Sequence, residues 1–210
     1  MMETFLAPLA ALVVIALGAL WMRATGRGGG GARRAGPSGR AGGGLRSRSK
    51  RLPKPVSLDL TSAAGLDGVL GDLPEGFIVR GPVQTGEGPI PSVVLGPTGL
   101  WVIAAVAAKG HINVIDGSVA IGGRTSDAAS MLWRRAHALT EAMARGLGGE
   151  MPPIQAALVF VEPDAEIAKR EAMGVALLTP AQLEETLVEG RRRLDPATLA
   201  DYDEALARLL

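Results

Sequence analysis

The hydrophobic and polar positions of this 210-residue chain divide it into three regimes. Residues 5–22 (FLAPLAALVVIALGALWM) form an unbroken uncharged run. Residues 23–54 are rich in Gly, Arg and Ser and hold few large apolar side chains. From residue 56 onward, short apolar segments alternate with turn residues in the manner of a folded domain.

Within that last regime the spacing predicts definite elements. Leu66, Val69, Leu70 and Leu73 predict a helix over Thr61–Leu73, weakened by three glycines. Gly76–Val79 reads as a short strand. Ser92–Leu95 and Leu100–Ala105 are apolar runs on either side of the turn Gly96-Pro97-Thr98-Gly99, a hairpin pattern. A second hairpin runs from His111–Ile115 through Asp116-Gly117 to Ser118–Ile121. Ala128, Met131, Leu132, Leu139, Ala142 and Met143 predict an amphipathic helix over Asp127–Leu147, with Arg134, Arg135, Glu141 and Arg145 outside. Ala156–Val161 is a fully apolar strand expected at a sheet centre, and Val175–Leu178 is a shorter one. Thr179-Pro180-Ala181-Gln182 is a capping box with Pro at the first helical position. Asp195-Pro196 opens a last helix, with Leu199, Tyr202, Leu206 and Leu209 on one face. The order of elements implies an α/β fold, a mixed β-sheet flanked by helices, in a single domain over 56–210.

The first regime reads as a membrane anchor occupying 1–22. Eighteen residues at about 1.5 Å of rise span roughly 27 Å, enough for a bilayer core. Pro8 lies near the start, where a missing N–H is tolerated, and Trp21 suits the headgroup interface. A cleaved signal peptide would want a basic leader and small residues at its end; here Glu3 precedes the run and Trp-Met-Arg closes it.

Charge then sets an orientation. Arg23–Lys54 contains ten basic residues and no acid. Beside an anchor, that bias predicts a single-pass protein of the cell membrane with its C-terminal domain cytoplasmic. The stretch 23–55 reads as a disordered tether, and its charge suits anionic lipid headgroups or nucleic acid as alternative partners. The remaining 56–210 holds 12 basic and 20 acidic residues, a net charge of −8. Such a domain repels a phosphate backbone and suits a protein partner instead. The chain has no cysteine, which excludes disulfides, thiol catalysis and Cys-ligated zinc. Two histidines, His111 and His137, leave little for a metal site or a catalytic triad. The abundance of Ala, Gly and Arg suggests a GC-rich bacterial genome.

Leu73-Pro74-Glu75-Gly76-Phe77, then Val93-Val94-Leu95-Gly96-Pro97-Thr98-Gly99-Leu100-Trp101-Val102-Ile103, then Gly110 resemble the NERD (nuclease-related) domain. The resemblance covers about 62–187, and the Gly96–Ile103 segment carries most of it. It implies a restriction-endonuclease-like α/β core related to PD-(D/E)xK nucleases, in which acids on neighbouring strands hold a divalent metal and a lysine assists.

This sequence departs from the family pattern at each chemical position. The Asp-His expected before the first hairpin strand is Pro91-Ser92. The expected glutamate is Ala104 and the lysine two residues on is Val106. The acid expected on the first helix falls within Ser62-Ala63-Ala64, and the helical glutamine falls at Met131. Alanine and valine cannot hold Mg²⁺ or polarise water. The expectation is therefore a degenerate site, with no catalytic residue, metal or cofactor, in a binding, tethering or regulatory module. The apolar run Ala104–Ala108 would then serve as packing or as a protein-contact surface.

Two alternatives stay open. Relocated ligands, with Glu87, Lys109 and Asp116 as candidates, would make an active Mg²⁺- or Mn²⁺-dependent nuclease. The basic stretch alone would make a membrane-tethered nucleic-acid binder. Elsewhere the bland reading is preferred. His111 packs or faces solvent, His137 faces solvent, and Trp101 and Trp133 pack. Arg191-Arg192-Arg193 offsets a helix dipole. Glu184, Glu185, Glu189, Asp201, Asp203 and Glu204 form solvated helix faces, or a docking face for a basic partner.

Overall fold

A computed structural model describes residues 54–210. The expected anchor and nearly all of the basic tether fall on residues 1–53, outside the described residues. No helix among the described residues is long and apolar enough to cross a membrane.

The elements follow in the order α1 (Asp67–Gly71), β1 (Ile78–Arg80), β2 (Val83–Thr85), β3 (Gly88–Ile90), β4 (Ser92–Gly96), β5 (Gly99–Val106), β6 (Gly110–Ile115), β7 (Ser118–Ile121) and β8 (Arg124–Ser126). Then come α2 (Ala128–Ala144), β9 (Ile154–Phe160), β10 (Ala165–Ile167), β11 (Glu171–Ala172), β12 (Val175–Leu178), α3 (Pro180–Glu189) and α4 (Pro196–Ala207).

The main sheet has six strands in the order β1-β4-β5-β9-β12-β11. The predicted β4–β5 hairpin forms, with Val93 opposite Val102 and Leu95 opposite Leu100. β9 then lies parallel to β5, Leu100 opposite Ile154 and Val106 opposite Phe160, and β12 lies parallel to β9. The fully apolar run predicted as central is central.

Alternation explains why these runs are apolar throughout. Val102, Ala104, Val106, Leu158 and Phe160 point to one face, into a core shared with Leu132, Leu139 and Met143 of α2 and Leu206 of α4. Trp101, Ile103, Ala105, Ala157 and Val159 point to the other, against Leu66 and against Leu183 and Leu187 of α3. A strand buried on both faces leaves no solvent side on which to place polar residues. All eight residues of β5 are buried.

The single mixed sheet of the sequence reading becomes three. β6, β7 and β8 form a meander, joined by β10 parallel to β6, and β2 and β3 make a small ribbon. Ile112 of β6 and Val119 of β7 enter the core beside α2. The β6–β7 hairpin was expected; the additions are β2, β3, β8 and β10, strands of three residues each, too short for local periodicity to mark.

The long helix predicted over Thr61–Leu73 contracts to Asp67–Gly71. Gly65 sits at φ +85°, outside helical geometry, and a Cβ there would lie 3.2 Å from Val161. A second correction concerns Arg135. Placed outside from its charge, it is only 7% exposed. It falls three residues after Leu132 and four before Leu139, squarely on the buried stripe of α2. A third concerns Asp203. Expected on a solvated face, it accepts two hydrogen bonds from Arg80 Nη2, at 2.9 and 3.2 Å, and ties α4 to edge strand β1. The capping box of α3 forms as predicted, with Gln182 N donating to Thr179 Oγ1 and Thr179 N to Gln182 Oε1.

Two expected outcomes check this packing. Leu132→Ala, which empties a fully buried position between α2 and the sheet, lowers the unfolding free energy by about 2–5 kcal/mol in urea titration. Gly96→Ala is destabilising too, because a Cβ there lies 2.2 Å from the Phe77 ring and only displacement of that ring relieves the clash.

Candidate functional site

In sheets of this kind the place to look for a site is the carboxyl end of the parallel strands. There, after β5 and β9, lies a hollow of about 280 Å³ lined by Asp59, Ser62, Ala64, Ala105, Val106 and Val161 among others. Past the last β4–β5 pair, Ser92 opposite Ile103, strand β5 continues alone on that side. The segment ahead of α1 takes over, with Ala105 N donating to Ser62 O at 2.9 Å. On the other side Val161 N donates to Val106 O at 3.2 Å. The hollow is thus framed by backbone that completes the sheet.

The structure brings most of the sequence-selected positions to this neighbourhood. Ser62, Ala64 and Val106 line the hollow directly. Pro91 is one residue beyond the Ser92–Ile103 pair, which puts it beside Ala104. Met131 packs against the same core cluster as Ala104 and Val106. None of these side chains carries a charge. Ala104 is fully buried and Val106 is 2% exposed, so both belong to the core between the sheet and α2. Ala105 and Ala108 are buried too, leaving Ala107 as the exposed residue of the run. Packing therefore accounts for the run, and the contact-surface alternative does not.

One carboxylate reaches the hollow. Asp59 Oδ1 accepts from Thr61 N at 2.9 Å and from Thr61 Oγ1 at 2.7 Å. These bonds, more than the nearby Arg135 charge, hold its pKa below the usual carboxylate value. Oδ1 is thus committed to a local turn.

Behind that turn stands Arg135, which sequence reasoning missed. Its Nη1 donates to Leu60 O at 2.9 Å and to Pro89 O at 2.8 Å. The guanidinium therefore staples the segment carrying Asp59 to the β2–β3 ribbon. Its Nε is buried without a partner, and the glycine at Gly88 leaves the space the head group fills. No carboxylate forms an ion pair with it among the described residues.

The residues considered as relocated ligands lie apart from this place. Glu87 sits in the β2–β3 turn, 3.7 Å from Arg134. Lys109 pairs with Glu162 at 3.4 Å. Asp116 occupies the β6–β7 turn at φ +49°, the conformation an Asp-Gly hairpin requires. No group of three or more His, Asp or Glu side chains with metal-binding proximity occurs among the described residues. The donor set at the strand ends, one exposed carboxylate and two serines, does not fit a catalytic divalent metal, which takes several converging oxygen ligands. His137 is exposed, as read from sequence, and of the two alternatives for His111 the structure shows exposure. Trp101 is buried, but Trp133 is 37% exposed and is corrected from packing residue to surface residue.

Against family models, curated proteins and solved structures, the chain finds no match.

Two measurements follow. Thr61→Val removes the hydroxyl bond and moves the Asp59 titration midpoint up towards the ordinary carboxylate value, as read by NMR. The sign of the linkage is fixed. A depressed carboxylate contributes stability above its unfolded pKa and loses it as pH falls through the folded one. The acid limb of the stability profile is therefore shallower in the variant. Arg135→Met leaves two buried carbonyls without donors and costs about 2–4 kcal/mol in urea titration, with faster proteolysis around residue 60. Arg135→Lys keeps the charge and recovers part of that loss.

Proposed function

We propose that this chain is a single-pass membrane protein whose soluble domain is a NERD-like, restriction-endonuclease-like fold working without hydrolytic chemistry, as a binding, tethering or regulatory module. The observation that carries the reading is the occupancy of the strand ends. Where metal-dependent hydrolysis needs converging acids and a lysine, the structure places Ala104 and Val106 inside the core, with Pro91 alongside. A carboxylate at either core position would be desolvated, and no water-filled cleft reaches Ala104.

The antiparallel β4–β5 hairpin, the crossover helix α2 and the parallel strand β9 support the fold-level part of the proposal. The membrane part rests on the apolar run 5–22 and the basic stretch after it. The net charge of −8 over 56–210 directs any polyanion, lipid or nucleic acid, to the basic stretch and leaves the domain for protein partners.

Calorimetric titration of Mg²⁺ and Mn²⁺ into the full chain in neutral detergent tests the reading. The expected result is no saturable heat, and no metal-dependent cleavage of DNA or RNA by the same preparation. Stoichiometric metal binding that disappears in Glu87→Ala or Asp116→Ala would overturn it in favour of a nuclease with relocated ligands.

A further inference from the structure

A second hollow, of about 360 Å³, lies between the end of α2 and the outer face of α4, well separated in sequence from the strand-end residues. Its wall is acidic. Glu150, Asp201 and Glu204 line it with a single basic residue, Arg208, which is already engaged by Glu204. Glu150 and Asp201 have no ion-pair partner among the described residues. Gly146 and Leu147 form another part of the wall, immediately after α2. The C-terminal end of a 17-residue helix thus adds its partial negative charge to the same place.

Acidic side chains at a helix end are common on solvated surfaces and would mean little alone. What distinguishes this hollow is Tyr202. The residue is only 5% exposed, yet it lines the hollow. Its hydroxyl makes no hydrogen bond to any described residue, and it is not among the polar atoms sealed from solvent. The hydroxyl of a residue only 5% exposed therefore reaches solvent beside the cavity the residue lines, and no side chain or backbone group among the described residues is hydrogen-bonded to it. Burial first, and the Glu150 carboxylate second, hold its pKa above the ordinary range, so the group is a neutral hydroxyl whose oxygen is free to accept.

The geometry points to a binding site for an organic cation, a guanidinium or alkylammonium group, seated between Glu150 and Asp201 with an N–H donated to the Tyr202 hydroxyl oxygen. Such a group supplies what the cavity lacks. It brings one positive charge and several N–H donors to two free carboxylates, joins the Arg208 guanidinium that already lies beside Gly146 at the helix end, and gives the phenol oxygen a donor. A bare metal ion is a poorer fit, since the carboxylates lie on an exposed wall and no three of them cluster at ligand distance. The site is independent of the strand-end hollow, so its failure would leave the reading of that region untouched.

Titration of the full chain in neutral detergent tests it, with agmatine as a free cation and acetyl-Gly-Arg-Gly-amide as an arginine side chain on a polypeptide. Binding is followed by calorimetry and by the amide resonances of Thr198 and Tyr202. The expected result is saturable binding of at least one probe. The double variant Glu150→Gln/Asp201→Asn weakens it by about tenfold or more, and Tyr202→Phe, which keeps the ring, by about threefold. Glu184→Gln/Glu185→Gln, on the exposed face of α3, leaves it unchanged. Saturation by agmatine alone identifies a small free ligand, and saturation by the peptide a polypeptide source. Shifts that never saturate, that NaCl reproduces at equal ionic strength, or that persist in Glu150→Gln/Asp201→Asn overturn the proposal. All the substituted carboxylates are exposed, so thermal melts of the variants should match the parent.

Discussion

Burial of β5 and β9 on both faces is the constraint on which the rest of the domain depends. A parallel pair cannot be closed by a tight turn and needs a crossover, which here is α2. Once that crossover covers one face, the other must be covered as well, and α3 with Leu66 does so. Both faces then exclude water, and every position along the two strands is selected for apolar volume. Ala104, Leu158 and Phe160 fill the face covered by α2, and Ala157 the face covered by α3. The same requirement bears on function. Val106, the last residue of β5, is 2% exposed, so the strand end offers the hollow beside it almost no side-chain surface.

Arg135 shows how a charged residue comes to be held in such an interior. The segment before α1 has no regular structure for its carbonyls to enter, and the β2–β3 ribbon ends beside it. One planar head group satisfies Leu60 O and Pro89 O together. A fixed cation at this place ties loop to ribbon without an ion-pair partner among the described residues. Arginine suits the task, because its charge persists on burial and its rigid fork spans two acceptors.

The parts of the fold legible in sequence are those whose stabilising contacts have a short period. The β4–β5 hairpin, the central strand β9, the stripe of α2 and the caps of α3 and α4 all announce themselves within a few residues. What the sequence concealed depends on partners far along the chain. β10 is three residues long and exists as a strand because Ile112 and its neighbours lie beside it. Arg80 and Asp203 look like ordinary surface charges until β1 and α4 are placed side by side. Arg135 is the instructive case. Its spacing from Leu132 and Leu139 marked it as buried, while its charge argued for the surface. Position on the helix decided the outcome, because the two carbonyls that make burial tolerable come from 46 and 75 residues away.

The site was legible in a different sense. The resemblance singled out positions, and the structure brings most of them together around the end of β5, with no charged side chain among them. Sequence alone could not say whether the gap had been left open or filled. An open gap would leave a cleft able to accept a substrate, while a filled one removes the cleft itself. Ala104 and Val106 are buried, with Ile112 and Val119 of the second sheet packed into the same core, and the hollow of about 280 Å³ that remains at the strand ends holds one carboxylate, Asp59. The domain's remaining chemistry therefore lies on its outside, where 20 acidic residues against 12 basic ones in 56–210 set the sign of what it attracts. That is why the cavity beneath α4, which combines unpaired carboxylates with an unpartnered phenol, is a better place to look for a ligand than the strand ends from which the fold would first suggest one.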